Sequence, residues 1–373
     1  MDRASIRTVI VAVCLAATAL TGLGGPAAAT SDPTAFSMPR QIVAGRFRDV
    51  SMAVDPKGHL HIAAIRGEGT LVYLTDRSGR FVVRVVAAPV PAGGEQEPWE
   101  TPSLALDEHS RVSIAAVRVS AGTGCGCTEG VFLFSDRGRT RGTFPVTGKR
   151  IAGRNAHDPT LKTVDGRIHL VFRRGDEYPE TPPPGDGEIW YRTNASGSWT
   201  SELVAGPMPG SPVPVFRLGE DGTAWVAWST GKVHLASNAT ISGGFQSVVF
   251  PESPSHAGGL SMAMASWDRP QVSLSDDDTT YLQTYGLGDG GVVPVMAHGG
   301  QTAITLDTGD REWIAAWHPW DATGLWVVRA FGSPMRLATG RIDSAAMRAP
   351  SSGGVVVIFA RTSLPRGLYL SRR

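Results

Sequence analysis

From about residue 40 onward, apolar and polar positions alternate with a period of two, in runs of four to eight residues. That is the period of a strand with one face buried, not the 3.6-residue stripe of an amphipathic helix. One unit recurs along the chain. An alternating run leads into an Asp- and Gly-rich turn, and a second run follows that ends in apolar residues. The first copy runs from Val50 through Asp55 and Gly58 to Ile65-Arg66, the second from Pro102 through Asp107 and Ser110 to Val117-Arg118, and the third from Pro159 through Asp165-Gly166 to Phe172-Arg173-Arg174. Further copies carry Asp221-Gly222, Asp276-Asp277-Asp278, Asp307 to Asp310 and Ser352-Gly353. Turn chemistry between alternating runs predicts a β-hairpin in each case. In the early copies a second pair of strands follows, as in Thr70–Thr75 and Phe81–Val86 flanking Ser78-Gly79. Four strands per unit is the blade of a β-propeller.

Seven copies predict seven blades. Aligned on the turn, they fall at 58, 110, 166, 222, 278, 310 and 353, which leaves the fifth unit too short for a full blade. A second register, with the fifth inner strand at Leu260–Ala265 and its turn near Asp268, spaces the last units more evenly, and both give seven. The last copy has only three strands, Ser344–Met347, Val355–Ala360 and Gly367–Ser371, while Gln41-Ile-Val-Ala-Gly45 stands alone near the beginning and resembles the outer strand Glu202–Gly206. Pairing this lone strand with the last blade closes the ring and satisfies its edge. A β-sandwich would leave both the seven copies and the displaced strand unexplained. The fold expected is therefore all-β, a seven-bladed β-propeller closed by an N-terminal strand, with residues 36–373 as one domain.

The first residues have another logic. Arg3 and Arg7 precede an apolar run, Thr8 to Leu23, and Ala27-Ala28-Ala29 offers a signal-peptidase site. Residues 1–29 are read as a cleaved secretory signal and 30–35 as a short linker; the apolar run is shorter than a membrane span requires. The sequence has 35 basic and 34 acidic residues. Loss of Asp2, Arg3 and Arg7 with the signal leaves the two balanced. Nothing in that charge points to nucleic acid. Cys125 and Cys127 flank one glycine, and in an oxidising compartment a small strained disulfide is the expected state. No phosphate loop, nucleophile elbow or zinc motif is present, so no cofactor or metal is expected. A secreted monomer whose partner is an extracellular glycan or a cell-surface protein is the expectation.

The stretch Asp165-Gly166-Arg-Ile-His169-Leu-Val-Phe, followed by Ile189-Trp190-Tyr191-Arg-Thr-Asn194-Ala-Ser196-Gly197-Ser198-Trp199, resembles the repeats of secreted bacterial sialidase-like propellers. The resemblance is at the level of single blades and covers most of the chain after the leader. It implies the propeller fold far more than an activity. Two sialidase features are missing. The aromatic residue follows the turn glycine by two positions rather than three (Gly79 to Phe81, Gly197 to Trp199, Gly243 to Phe245), and Met38-Pro39-Arg40 does not match the family's Arg-Ile-Pro segment.

Candidate chemistry follows from the blade alignment. Inner-strand starts and second-strand ends share one face of a propeller, around its channel. Eight residues past the turn stand Arg66, Arg118, Arg174, His318 and Arg361, and near the strand starts stand Asp49, Glu100, His157, Asp158, Asp268 and Asp343. One reading is a ring of forked guanidiniums that captures a sugar carboxylate without catalysis. The structural alternative is that each arginine ties neighbouring blades together through a carboxylate. The insertion Arg173–Asp186 overhangs the channel in this alignment, bringing Tyr178 toward a ligand. Asp158, Asp176 and Glu177 are candidates for the carboxyl pair that a glycoside hydrolase needs. Trp320, with Trp267 and Trp228, offers a stacking surface, whereas Trp225, Trp313 and Trp317 alternate within strands and are expected in the core. His61 and His169 occupy matching strand positions and read as structural. Acidic-glycan recognition is the leading functional expectation, with a sialidase-like glycoside hydrolase or lyase and a protein-interaction scaffold as the alternatives.

Overall fold

The computed structural model describes residues 35–92, 95–120, 128–175, 187–208, 212–239, 244–249, 259–266, 268–285 and 292–373. The signal sequence, Cys125, Cys127, Asp176, Glu177, Tyr178 and Trp267 lie outside the described residues. Phe36–Arg373 forms one compact unit. Its strands make seven four-stranded sheets, with a two-stranded ribbon, Val90–Ala92 and Glu95–Glu97, between the first two.

Each sheet is an antiparallel meander. The innermost strands are, in order, Phe47–Val54, Trp99–Leu106, Ala156–Val164, Val215–Leu218, Gly259–Met264, Gln301–Leu306 and Ile342–Arg348. The fifth settles the register, because its inner strand pairs with Pro270–Ser275 across the turn at Asp268. The seventh blade takes its outer strand from the beginning of the unit: Arg40–Ala44 pairs antiparallel with Gly367–Arg372, matching Arg40 to Leu370 and Ala44 to Gly367. Closure brings the two ends together, since Ser37 N–H donates to the Arg372 carbonyl at 2.7 Å.

The alternation read in the sequence becomes the packing between blades. On Leu60–Arg66, Ile62 and Ala64 face blade seven, while Ala63 and Ile65 face blade two. The second strands of the other blades do the same, except in blade five, where Val272 and Leu274 face blade four and the alternate positions are Gln271, Ser273 and Ser275. The described core therefore divides into seven apolar clusters, each shared by two consecutive blades, and the cluster joining Met52 and Ile62 to Ile358 and Leu370 closes the ring. A two-layer sandwich would give one core. Trp313 and Trp317 are buried, Trp225 is partly buried against Tyr285, and Trp228 is buried and stacked on His234 rather than offered to solvent.

Two side-chain devices repeat. In the first turn, the Asp55 carboxylate accepts N–H bonds from Lys57 and His59, both at 2.9 Å, and Gly58 takes the left-handed conformation (φ 82°). Asp107 and Asp307 cap their turns in the same way, with Ser110 and Asp310 at the left-handed position. The second device was not anticipated from sequence. Asp76, Asp136, Asn194 and Asn238, each just past a third strand, accept the N–H of the first or second residue of their blade's second strand: Leu60, Val112, Ile168 and Ala224 respectively, at 2.7–2.8 Å. Its sequence signal is a Ser/Thr followed by Asp/Asn, in Thr75-Asp76, Ser135-Asp136, Thr193-Asn194 and Ser237-Asn238. His61 and His169 are bonded alike, each Nδ1 lying 2.6 Å from the hydroxyl of a tyrosine on the third strand, Tyr73 and Tyr191.

Candidate functional site

The starts of the inner strands of blades seven, one, two and three bring charged residues to the channel mouth. In blades one, two and three the strand bulges at the same place. Two residues, Asp49-Val50, Thr101-Pro102 and Asp158-Pro159, lie between ladder pairs that leave room for one on the partner strand. The first of each pair has a positive φ: 51° at Asp49, 44° at Thr101 and 50° at Asp158. None is glycine, Thr101 is β-branched, and two precede proline, so each is a strained position costing about 1–3 kcal/mol. Strain repeated at one level of three neighbouring strands is a reason to look for function there.

The bulges set four carboxylates and two guanidiniums around the mouth. Arg48 Nη2 donates to Glu100 Oε1 at 3.1 Å, and Arg48 Nε lies 3.9 Å from Asp49 Oδ2. The Asp49 carboxylate also accepts the Thr101 N–H at 3.4 Å. Burial pushes the Asp49 carboxyl up to about 6; Arg48 opposes this, while Asp343 and Glu100 add to it. The side chain nonetheless keeps 31% of its surface open to solvent. Such a group is surrounded by protein and reachable by a ligand. Asp343 is raised as well, chiefly by burial, against the pull of the Asp49 N–H and Arg48. On blade three, Arg173 is almost wholly buried and its Nε donates to Asp158 Oδ2 at 3.1 Å. His157, opposite Arg173 in the ladder, is buried too.

The structure thus brings Asp49, Glu100, His157, Asp158 and Asp343 to the mouth, and adds Arg48, Thr101 and Arg173. Asp268 belongs instead to a turn of blade five, where its carboxylate accepts the Glu220 N–H. The second-strand ends stand one strand farther from the axis. Arg66 and Arg174 are exposed there. Arg118 sits 3.2 Å from Glu97 and 4.0 Å from Glu129, with its guanidinium over the Phe132 ring, so it ties strands together. Arg361 bonds Ser363 Oγ and lies over Tyr369, lining a cavity of about 270 Å³ with Pro39 and Arg336. His318 lies 3.8 Å from Asp321 in a cavity of about 200 Å³ between blades five and six, and Trp320 beside it is 77% exposed. Strand period explains the swap on blade three. Of the neighbours Arg173 and Arg174, only one can point inward, and it is Arg173.

A cavity of about 370 Å³ lies between the outer strands of blades one and two. Its carboxylate, Asp136, is occupied by the N–H groups of Val112 and Gly142, which argues for a structural role.

No family model and no curated protein matches this sequence. Solved structures do. A protein of unknown function from Dyadobacter fermentans aligns with 90% of this chain and 98% of its own at 10% identity and a TM-score of 0.55. An α-L-arabinanase from Penicillium chrysogenum, solved with arabinobiose, aligns over 91% and 98% at 12% identity and 0.50. An intramolecular trans-sialidase from Ruminococcus gnavus is a more distant match, over 91% and 94% at 10% identity and 0.46. Likeness at such identities is likeness of fold. This chain shares the propeller fold, as its blade-level resemblance implied.

Proposed function

We propose that this is an exported propeller that binds a carbohydrate chain at the channel mouth formed by blades seven, one, two and three. The strained, polar mouth carries the reading. Carboxylates and guanidiniums held on rigid strands are the groups that exchange hydrogen bonds with sugar hydroxyls, and the strand ends around a propeller channel form a natural concave receptor. The charge also revises the ligand. Among the described residues, four carboxylates face two guanidiniums that are already paired, so the mouth suits a hydroxyl-rich uncharged saccharide better than the acidic glycan expected from an arginine ring. Titration calorimetry with neutral and acidic oligosaccharides tests this. The expected result is binding of neutral chains, weakened about tenfold or more in Glu100→Gln, since a charge-assisted bond is removed. Exclusive binding of acidic chains, or binding indifferent to Glu100→Gln and Asp343→Asn, would overturn it.

A second reading is favoured by one observation. Glycoside hydrolysis needs a carboxyl that still holds its proton near neutrality beside another that does not. Asp49, raised to about 6 by burial, has Glu100 and Asp343 close enough to influence it. Asp49 would then donate the proton to the leaving oxygen, and shortened oligosaccharides would appear with an activity limb near pH 6. Recovery of only intact chains after long incubation would leave binding without catalysis.

A further inference from the structure

Farther along the same inner strands the charge reverses. Lys162 lies four residues beyond Asp158 on blade three, roughly 13 Å along an extended strand, and Arg348 lies five beyond Asp343 on blade seven. Both line a cavity of about 300 Å³ whose other walls are the apolar inner-strand residues around Val54 and Leu106. Arg217, from blade four, is near enough to repel the Lys162 ammonium electrostatically. Each of the three is partly accessible from the channel and yet deeply enclosed by protein. Burial, reinforced by the two guanidiniums, drives the Lys162 ammonium well below its ordinary pKa; Arg217 is pushed down to about 9, and Arg348 is lowered by burial.

Three cations from blades three, four and seven therefore converge with no carboxylate partner among the described residues. Among the described residues, their hydrogen bonds to protein are local. Arg217 Nη1 donates to the Phe216 carbonyl and Arg348 Nη1 to the Met347 carbonyl, each at 2.7 Å. Among the described residues, most donors of both guanidinium forks and all three of the lysine have no protein partner; Lys162 and Arg348 line the cavity, and Arg217 lies near enough to interact electrostatically with both. Enclosed like charges are unfavourable unless a counter-charge joins them. Even lowered by burial, with Arg217 at about 9, the guanidiniums keep their protons at neutral pH, so two positive charges persist there.

We propose that the channel holds a multivalent oxyanion, a phosphate or sulfate group, between Lys162, Arg217 and Arg348. Planar forks on two sides and a point charge on a third match the oxygens of a tetrahedral anion. The cavity is at the small end for ligand pockets, which admits the free anion or a compact ester of it. The site shares no residue with the acidic mouth, so either can fail without the other.

Thermal unfolding in sodium phosphate and sodium sulfate, at ionic strength fixed with sodium chloride, tests the site, with dissociation constants from calorimetry. A ligand that binds only the folded state raises Tm with its concentration. Phosphate and sulfate should do so and chloride should not. In Lys162→Met the affinity should fall about tenfold or more. Without anion that variant should melt at or above wild type, because an enclosed amine whose charge is disfavoured by burial and by two guanidiniums is gone. Arg348→Gln serves as the second variant and should lose the response similarly. Tighter binding of glucose 6-phosphate or glucose 6-sulfate than of the inorganic ion would assign the group as ester-borne, and the reverse as the free anion. The proposal is overturned if neither oxyanion shifts Tm, if chloride matches them, or if the shift survives in both variants.

Discussion

Replacing Asp49 by Asn tests the electrostatics of the mouth directly. In the unfolded chain this carboxyl titrates near 3.8, and in the folded protein near 6. Between those values the native state holds a proton that the unfolded state has lost. The contribution is fully present below pH 3.8 and disappears as pH rises through 6, so ionised Asp49 works against folding at neutral pH. At 1.36 kcal/mol per unit, the shift corresponds to roughly 3 kcal/mol. With 31% of the side chain open to water, screening reduces this to about 1–2 kcal/mol. Asn keeps an acceptor for the Thr101 N–H and tolerates the left-handed backbone that φ of 51° imposes. Urea unfolding of wild type and Asp49→Asn between pH 3.5 and 8 provides the assay. The two should be about equally stable at the acid end, with the variant gaining about 1–2 kcal/mol above pH 6. A difference that does not change with pH, or a variant less stable at pH 8, would refute a buried, strained carboxyl at this mouth.

Other expectations are more local. Arg173→Met removes the partner of Asp158 and should cost about 3–5 kcal/mol, as loss of one member of a buried ion pair does; chemical denaturation would measure it, and a loss under 1 kcal/mol would contradict the pairing. Gly367→Ala places a methyl against the Val43 carbonyl and Gln41, so ring closure should weaken by about 1–3 kcal/mol, with faster amide exchange in Arg40–Ala44 than in the other outer strands. His61 is driven down to about 4, mainly by burial. Its unfolded form takes up a proton first, so stability should rise between pH 4 and 6.5 and then level off, and the ring should show no NMR titration from pH 5 to 8. Tyr73→Phe, which takes away the hydroxyl bonded to His61, should cost about 1–2 kcal/mol.

Much of the architecture was legible because it is local and repeated. Period-two alternation, an Asp-capped turn and a hydroxyl–Asp/Asn pair need only neighbouring residues, and seven copies make the ring a matter of counting. The unpaired strand at Gln41 and the three-stranded last unit announced the closure for the same reason, since an edge strand must find a partner. Asp49, His157 and Asp158 could be placed at a mouth by their position in the unit. What surrounds them could not be read this way. A bulge at Asp49, Thr101 and Asp158 adds a residue to each inner strand. It brings Arg48 against Glu100 and Arg173 against Asp158, while the regular alignment had drawn attention to Arg66, Arg118 and Arg361 at other second-strand ends and to Arg174, the outward-pointing neighbour of Arg173. Arg118 is occupied by Glu97, a residue of a small ribbon with no counterpart among the described residues of the other blades. The meeting of Lys162, Arg217 and Arg348 has no signature along the chain at all. They come from blades on opposite sides of the channel, separated by up to half the sequence, and only closure of the ring brings their charges into one cavity.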